Sequence, residues 1–286
     1  KLTEEMATTG QNWLARGTAR SITEIILHRE EHTKSLFNGL ISEGLLAEDI
    51  AYHGEGAGTE DIIRFSYERF SDHLIASFLL GKHLDVENPS SSFSTGQPLH
   101  EFVKEEAVTW VSRGLIEAFS VQVPERTGKE LIEVVPAIKT FQPVQESFLD
   151  SLLWRKPANI GDAALKYMND TIVRTEHFHD RLIETLLTLV PKPEHPFNAT
   201  FLHKNLKRQA LAQRDAWWSV FLHRHYGSNS AVDRLIDWAW SKQDRRHVAD
   251  QAVHLFAITL SWFLTSSNRF VRDRATKALV TLLEDR

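Results

Sequence analysis

Cysteine is absent from the 286-residue chain. That excludes disulfides, thiolate metal sites and a cysteine nucleophile, and it favours a cytoplasmic address. The start shows no charged n-region followed by an apolar h-region, so a secretory leader is not expected. No run approaches the roughly 18 uncharged apolar residues that a membrane span needs, and no membrane partner is expected. No serine stands in a nucleophile motif, which leaves acyl transfer unsupported. The glycine-rich run at 53–61, HGEGAGTED, has no Lys after Gly54, Gly56 or Gly58. It therefore fails the GxxxxGK[ST] pattern and reads as a hairpin tip, where glycine supplies positive φ.

What is present is the composition of a globular chain, 42% hydrophobic and 25% charged. This length allows one large or two smaller domains. The net charge of −5 hides an asymmetry, because residues 1–200 hold 19 Lys and Arg against 30 Asp and Glu, whereas 201–286 hold 14 against 8. The basic residues of the second part are interleaved with acids along helices, the pattern of solvated helix faces. The chain begins at Lys1 and its last segment, ATKALVTLLEDR, stops in mid-helix. It reads as a piece of a longer protein, truncated at the C-terminus.

The patterning centres on residues 61–84, DIIRFSYERFSDHLIASFLLGKHL. Alternating apolar residues give way to helical periodicity at Ser66. Tyr67, Phe70, Leu74 and Phe78, with Ile75 and Leu79 beside them, predict the apolar face; Glu68, Arg69, Asp72 and His73 fall on the other. Before it come a helix-like segment around Trp13 and Leu14 closed by Gly17, and a helix over 18–33 through Ile22, Ile25 and Ile26. A short helix over 34–43 and strands at 45–52 and 62–65 follow. Helix, helix, strand, glycine loop, strand and long helix make a winged-helix pattern over 1–88. The Ser- and Pro-rich stretch 85–98 is the expected linker. Beyond it, over 89–286, helices of ten to twenty residues are joined by short turns. Pro124 and Pro143 stand where first-turn prolines would. Near the end, Val271-Arg272, Ala275, Ala278 and Leu279 resemble the VRxxAxxAL pattern of a HEAT repeat. In it, small residues let helices approach and Arg272 and Asp273 can pair between layers. The predicted fold class is mainly α, a winged helix followed by an α-α superhelix of HEAT-like hairpins.

The stretch 65–76 also resembles the segment that closes the winged helix of NACHT-like STAND NTPases, FxHxxFxEYLAA. Phe65, Phe70 and Ala76 match outright and Leu74 falls on the pattern's leucine, while Asp72 replaces its Glu and His73 its Tyr. The preceding LFNGLISEGLLAED looks like the helix-to-strand passage of such domains. Among STAND proteins the combination is most similar to bacterial antiviral members, the Avs group. The resemblance implies a regulatory, sensor-proximal fragment that couples ligand sensing to nucleotide-dependent oligomerisation in antiphage defence, with no catalysis of its own. ATP or ADP, Mg²⁺ and the Walker motifs would belong to the parent protein upstream. The fragment's expected partners are the parent's own NTPase and sensor domains and a protein ligand. The family's nucleotide-sensing histidine aligns with Tyr67, whose phenol can donate a hydrogen bond but carries no positive charge at neutral pH.

Three constellations remain. His28, Glu31 and His32 fit H-x-x-E-H, a zinc-peptidase pattern, but lack a third ligand, and an exposed helix end explains them as well. The His177/His179 and His223/His225 pairs point their rings apart on a helix and chelate poorly. Of the eight tryptophans, Trp217 with Phe221 and Trp238 near Leu235 fit a buried seam. Trp218 and Trp240 would then point elsewhere, as anchors for a protein partner. The alternative function is a nucleic-acid-binding winged helix with a basic C-terminal half. It is disfavoured, since the glycine run carries three acids and no Lys or Arg.

Overall fold

The chain opens with a short helix, α1 (Leu2–Thr9), which ends at Gly10 with φ of +68°. Glycine takes that left-handed conformation without steric cost, so the chain turns at once. There follow β1 (Trp13–Ala15), α2 (Arg16–Ile26), α3 (Leu36–Ser42), β2 (Leu46–Tyr52), β3 (Thr59–Phe65) and α4 (Glu68–His83). The computed structural model describes residues 1–27, 35–52, 58–241 and 243–284; His28, Glu31, His32 and most of the glycine run lie outside them. The described chain divides into two compact units, Lys1–Ser147 and Phe148–Arg286.

In the first unit the three strands are antiparallel in the order β1-β3-β2. Leu14 stands opposite Ile63, and Leu46 opposite Phe65. The central strand buries Ile62 and Ile63. Ser35 caps α3 by accepting the Asn38 N–H at 3.3 Å, as N-cap serines do, and the helix buries Phe37. After α4 come α5 (Pro89–Ser92), a 3₁₀ turn (Pro98–Phe102), α6 (Glu106–Val111), α7 (Arg113–Thr127), α8 (Leu131–Val134) and α9 (Gln142–Ser151). One apolar cluster joins Met6 of α1, Leu14 of β1, Ile63 of β3, Ala76 and Leu80 of α4, and Ile116 and Phe119 of α7.

Several expectations are corrected here. The segment around Trp13 is an edge strand, not a helix, and Gly17 lies inside α2. A three-residue strand shows too little alternation to be seen beside helical neighbours. In α2 the buried residues are Ala19 and Thr23, while Ile25 and Ile26 face solvent. The stripe of α4 that packs inward is Ser71, Ile75, Ala76, Leu79 and Leu80. It is turned about one residue from the predicted face, so Tyr67 and Phe70 are exposed and Asp72 and His73 are half-buried. The stretch 85–98 includes α5 and sends Phe93 into the same cluster, with Leu99 just beyond. Pro124 lies in the last turn of α7 rather than starting a helix. A proline there costs one backbone bond, and the burial of Val121, Val123 and Pro124 itself offsets that loss.

The second unit contains α10 (Asp162–Asp170), α11 (His179–Leu189), α12 (Ala199–Arg208), α13 (Leu211–His225), α14 (Ala231–Trp240), α15 (Asp250–Phe263) and α16 (Arg269–Glu284). Helix α12 packs on α15, α11 on α14, and α16 on both α14 and α15. Val271, Ala275 and Ala278 form the buried face of α16, the positions that resemble the HEAT pattern. Arg272, however, donates back to the carbonyls of Ser266 at 2.6 Å and Ser267 at 2.9 Å, and Asp273 pairs with Arg269 on its own helix at 3.5 Å. Neither side chain bridges layers in the manner expected. Buried Arg245 donates to the Trp238 carbonyl at 2.7 Å and the Ala239 carbonyl at 3.0 Å, satisfying the end of α14 while its guanidinium lies over the Trp238 ring. His195 is buried in the turn before α12, with Nε2 donating to the Leu152 carbonyl at 3.1 Å and Nδ1 accepting the Phe197 N–H at 3.2 Å. Burial holds its pKa down at about 4, so this ring is neutral in the folded state and opposes folding as the pH falls from about 6.5 toward 4.

Trp218 is 0% exposed, and its indole N–H donates to the Trp262 carbonyl at 3.3 Å. Trp240 is 39% exposed, with Arg274 and Lys277 over its ring at 5.5 and 5.4 Å. Truncating Trp218 to Ala should cost about 3–5 kcal/mol in urea unfolding, the figure for a large core aromatic. Trp240→Ala should cost about 1 kcal/mol, the loss of exposed cation–π contacts. Equal costs would contradict the assignment of Trp218 to the core.

Candidate functional site

Helix α4 meets α7 along a polar seam that repeats once per turn. Arg69 lies 2.9 Å from the Glu117 carboxylate. One turn on, Gln122 Nε2 donates to the His73 carbonyl at 2.8 Å. One turn further, Arg126 donates to the Ser77 carbonyl at 3.2 Å and its hydroxyl at 2.9 Å. Only the Gln122 bond is part-buried; the other two lie at the exposed edge of the seam, and the three recur about one turn apart along both helices.

Asp72 breaks the series. Among the described residues no donor reaches its carboxylate. A Cβ placed on Gly114 would lie 1.9 Å from Asp72 Oδ2, so Gly114 is the residue that lets α7 approach at this level. Burial pushes the Asp72 carboxyl up to about 6, repulsion from Glu68 and Glu117 adds to the rise, and Arg69 opposes it. Neighbouring His73 is pushed down, first by burial and then by Arg69. Beside Asp72 lies a cavity of about 250 Å³ between α1, α4 and the start of α7. Glu68, one turn before Asp72, also lines it, as do Ile75, Leu79 and Leu115; Val111 at its margin is 90% exposed. An acid without a donor beside an apolar wall can hold a cationic amphipathic group.

The residues singled out in the sequence do not converge on this place. Tyr67 occupies the N-cap position of α4, is 68% exposed and makes no capping bond with its side chain. It is a surface phenol, although the sequence pattern places it on the apolar face of the helix. Trp218, expected to present its ring to a partner, is enclosed by the second unit, whereas Trp240 keeps an exposed edge. His179 Nε2 is held by the Val173 carbonyl at 3.1 Å, and His225 stacks on Phe221 with ring centroids 4.2 Å apart. Among the described residues no group of three or more His, Asp or Glu side chains gathers as metal ligands. No helix among them is long and apolar enough to cross a membrane. The sequence pattern places Asp72 on the outer face and matches it only to the acid of the family motif; the proximity of Gly114, 42 positions on, has no sequence signal. Comparison of the chain with protein-family models, with curated proteins and with solved structures finds no match.

The protonation of Asp72 has a definite sign in stability. Its folded pKa lies above the unfolded value of 3.8, so its contribution is fully present below that value and is lost as the pH rises through about 6. Asp72→Asn should remove this slope, raising stability at pH 8 by about 2 kcal/mol and leaving it unchanged at pH 3. Thermal unfolding of both proteins across that range measures it. Parallel curves would refute a half-buried, donor-free carboxylate.

Proposed function

We propose that this chain is a regulatory, sensor-proximal part of a STAND NTPase of the NACHT-like type, in the bacterial antiviral group. Residues 1–88 act as its winged helix and the later helices as a HEAT-like α-α superhelix. In this reading it has no catalysis of its own and works in the cytoplasm. It holds the parent's nucleotide domain at rest and passes ligand binding at a distal sensor on to oligomerisation. ATP or ADP and Mg²⁺ are bound upstream, and Tyr67 lies on the exposed surface that faces the nucleotide domain.

The observation that carries the reading is how the 65–76 motif sits. Phe65 ends β3, and Phe70 meets it edge-on with centroids 5.6 Å apart. Ala76 is buried on α4 within the apolar cluster of the unit. The residues that match the family pattern thus join the sheet to the long helix, a structural use for that spacing. The order α1-β1-α2-α3-β2-β3-α4 with strands arranged β1-β3-β2 also supports a winged helix.

Duplex binding is the second reading, and the charges disfavour it. Helix α3, LFNGLIS, carries no Lys or Arg. Beside the sheet, Arg16 at the start of α2 is paired with Glu48 at 2.7 Å, and on it Arg64 with Asp49 at 2.8 Å, which leaves little basic footprint for phosphates.

The full-length gene product tests the proposal. A strand–GxxxxGK[ST]–helix should precede Lys1, and ATP should drive assembly in mass photometry, abolished when the P-loop Lys is replaced by Ala. The 286-residue chain should fail to shift duplex DNA even at low salt. Lack of an upstream P-loop, or a salt-sensitive DNA shift, would overturn the proposal.

A further inference from the structure

We infer that the cleft between α1, α4 and α7 is a docking pocket for an arginine side chain presented by a partner protein. This goes beyond the proposed STAND role and does not depend on it. Glu68 and Asp72 stand one turn apart on α4 and both line the cleft, while Ile75, Leu79 and Leu115 form its apolar wall. A side chain that fits must carry an aliphatic stem and a cationic head.

The chain's own cations along this seam are already engaged. Arg69 is held by Glu117 at 2.9 Å and Arg126 by Ser77, whereas Asp72 has no donor among the described residues. An incoming guanidinium therefore meets unsatisfied acceptor capacity without displacing an internal pair. The volume of about 250 Å³ falls below the roughly 300–1,000 Å³ of pockets that enclose drug-sized ligands or cofactors. One long side chain fits that space better than a nucleotide. Arginine is favoured over lysine because its planar fork can reach two carboxylates at once and is less strongly hydrated. Val111, 90% exposed at the margin, offers the partner an apolar contact beside the pocket.

The test uses the whole 286-residue chain. Methyl NMR signals of Ile75, Leu79 and Leu115 are followed during titration with butylguanidinium, with butylammonium, and with uncharged N-butylurea. Butylguanidinium should move these signals saturably, butylammonium more weakly, and N-butylurea should not move them. Asp72→Asn should weaken the guanidinium response at least about tenfold, the effect of losing one charge-assisted hydrogen bond. Glu68→Gln, on an exposed position, should weaken it by several-fold, while Glu125→Gln, outside the cleft, should leave it intact. Equal response to the urea would show an apolar cleft only, and tighter butylammonium binding would remove arginine. An unchanged response in both Asp72→Asn and Glu68→Gln, or none at all, would overturn the pocket.

Discussion

The first unit depends on how closely α7 can approach α4. With five inward-facing residues α4 packs against α1, β3 and α7, and each neighbour buries its own apolar residues against that stripe. Ala76 and Gly114 are small where the helices come near, because backbone approach is limited by side-chain volume. That approach desolvates Asp72, leaves it without a donor and opens the cleft beside it. The local packing and the unusual acid thus share one cause. Residues 69, 73 and 77, which pair across the seam, show what the rest of the interface does to avoid that cost.

Three buried side chains of the second unit find their polar partners inside it. Arg245 closes a helix end, His195 bridges two backbone groups, and Trp218 places its N–H on a carbonyl. Each is a buried polar group with a partner, the usual condition for a stable core. Histidines and tryptophans that stand out in the sequence are largely absorbed in this way.

The parts of the fold legible in the sequence were those with long local periodicity. The range of α4 fell within a few residues of expectation, and the region beyond residue 198 is helical as expected, since repeated apolar spacing over ten or more positions leaves few alternatives. Strands β2 and β3 were legible because a glycine run separates two β-rich stretches. Strand β1 was not, being three residues long and held by pairing with β3 some 50 positions away. The orientation of α4 was misjudged because Tyr67 and Phe70 suggested a face that tertiary packing does not use. Of the candidate sites, Trp240 kept its exposure, Trp218 lost it, and the Asp72 cleft had no linear signature.

If α4 is the element on which the first unit closes, its backbone must open only when that unit unfolds. Amide hydrogen exchange of the 286-residue chain measures this directly. The slowest amides of the first unit should lie at residues 75–80 of α4, with their partners around Ile116 and Phe119 close behind. Faster exchange at 75–80 than in the sheet would contradict the account.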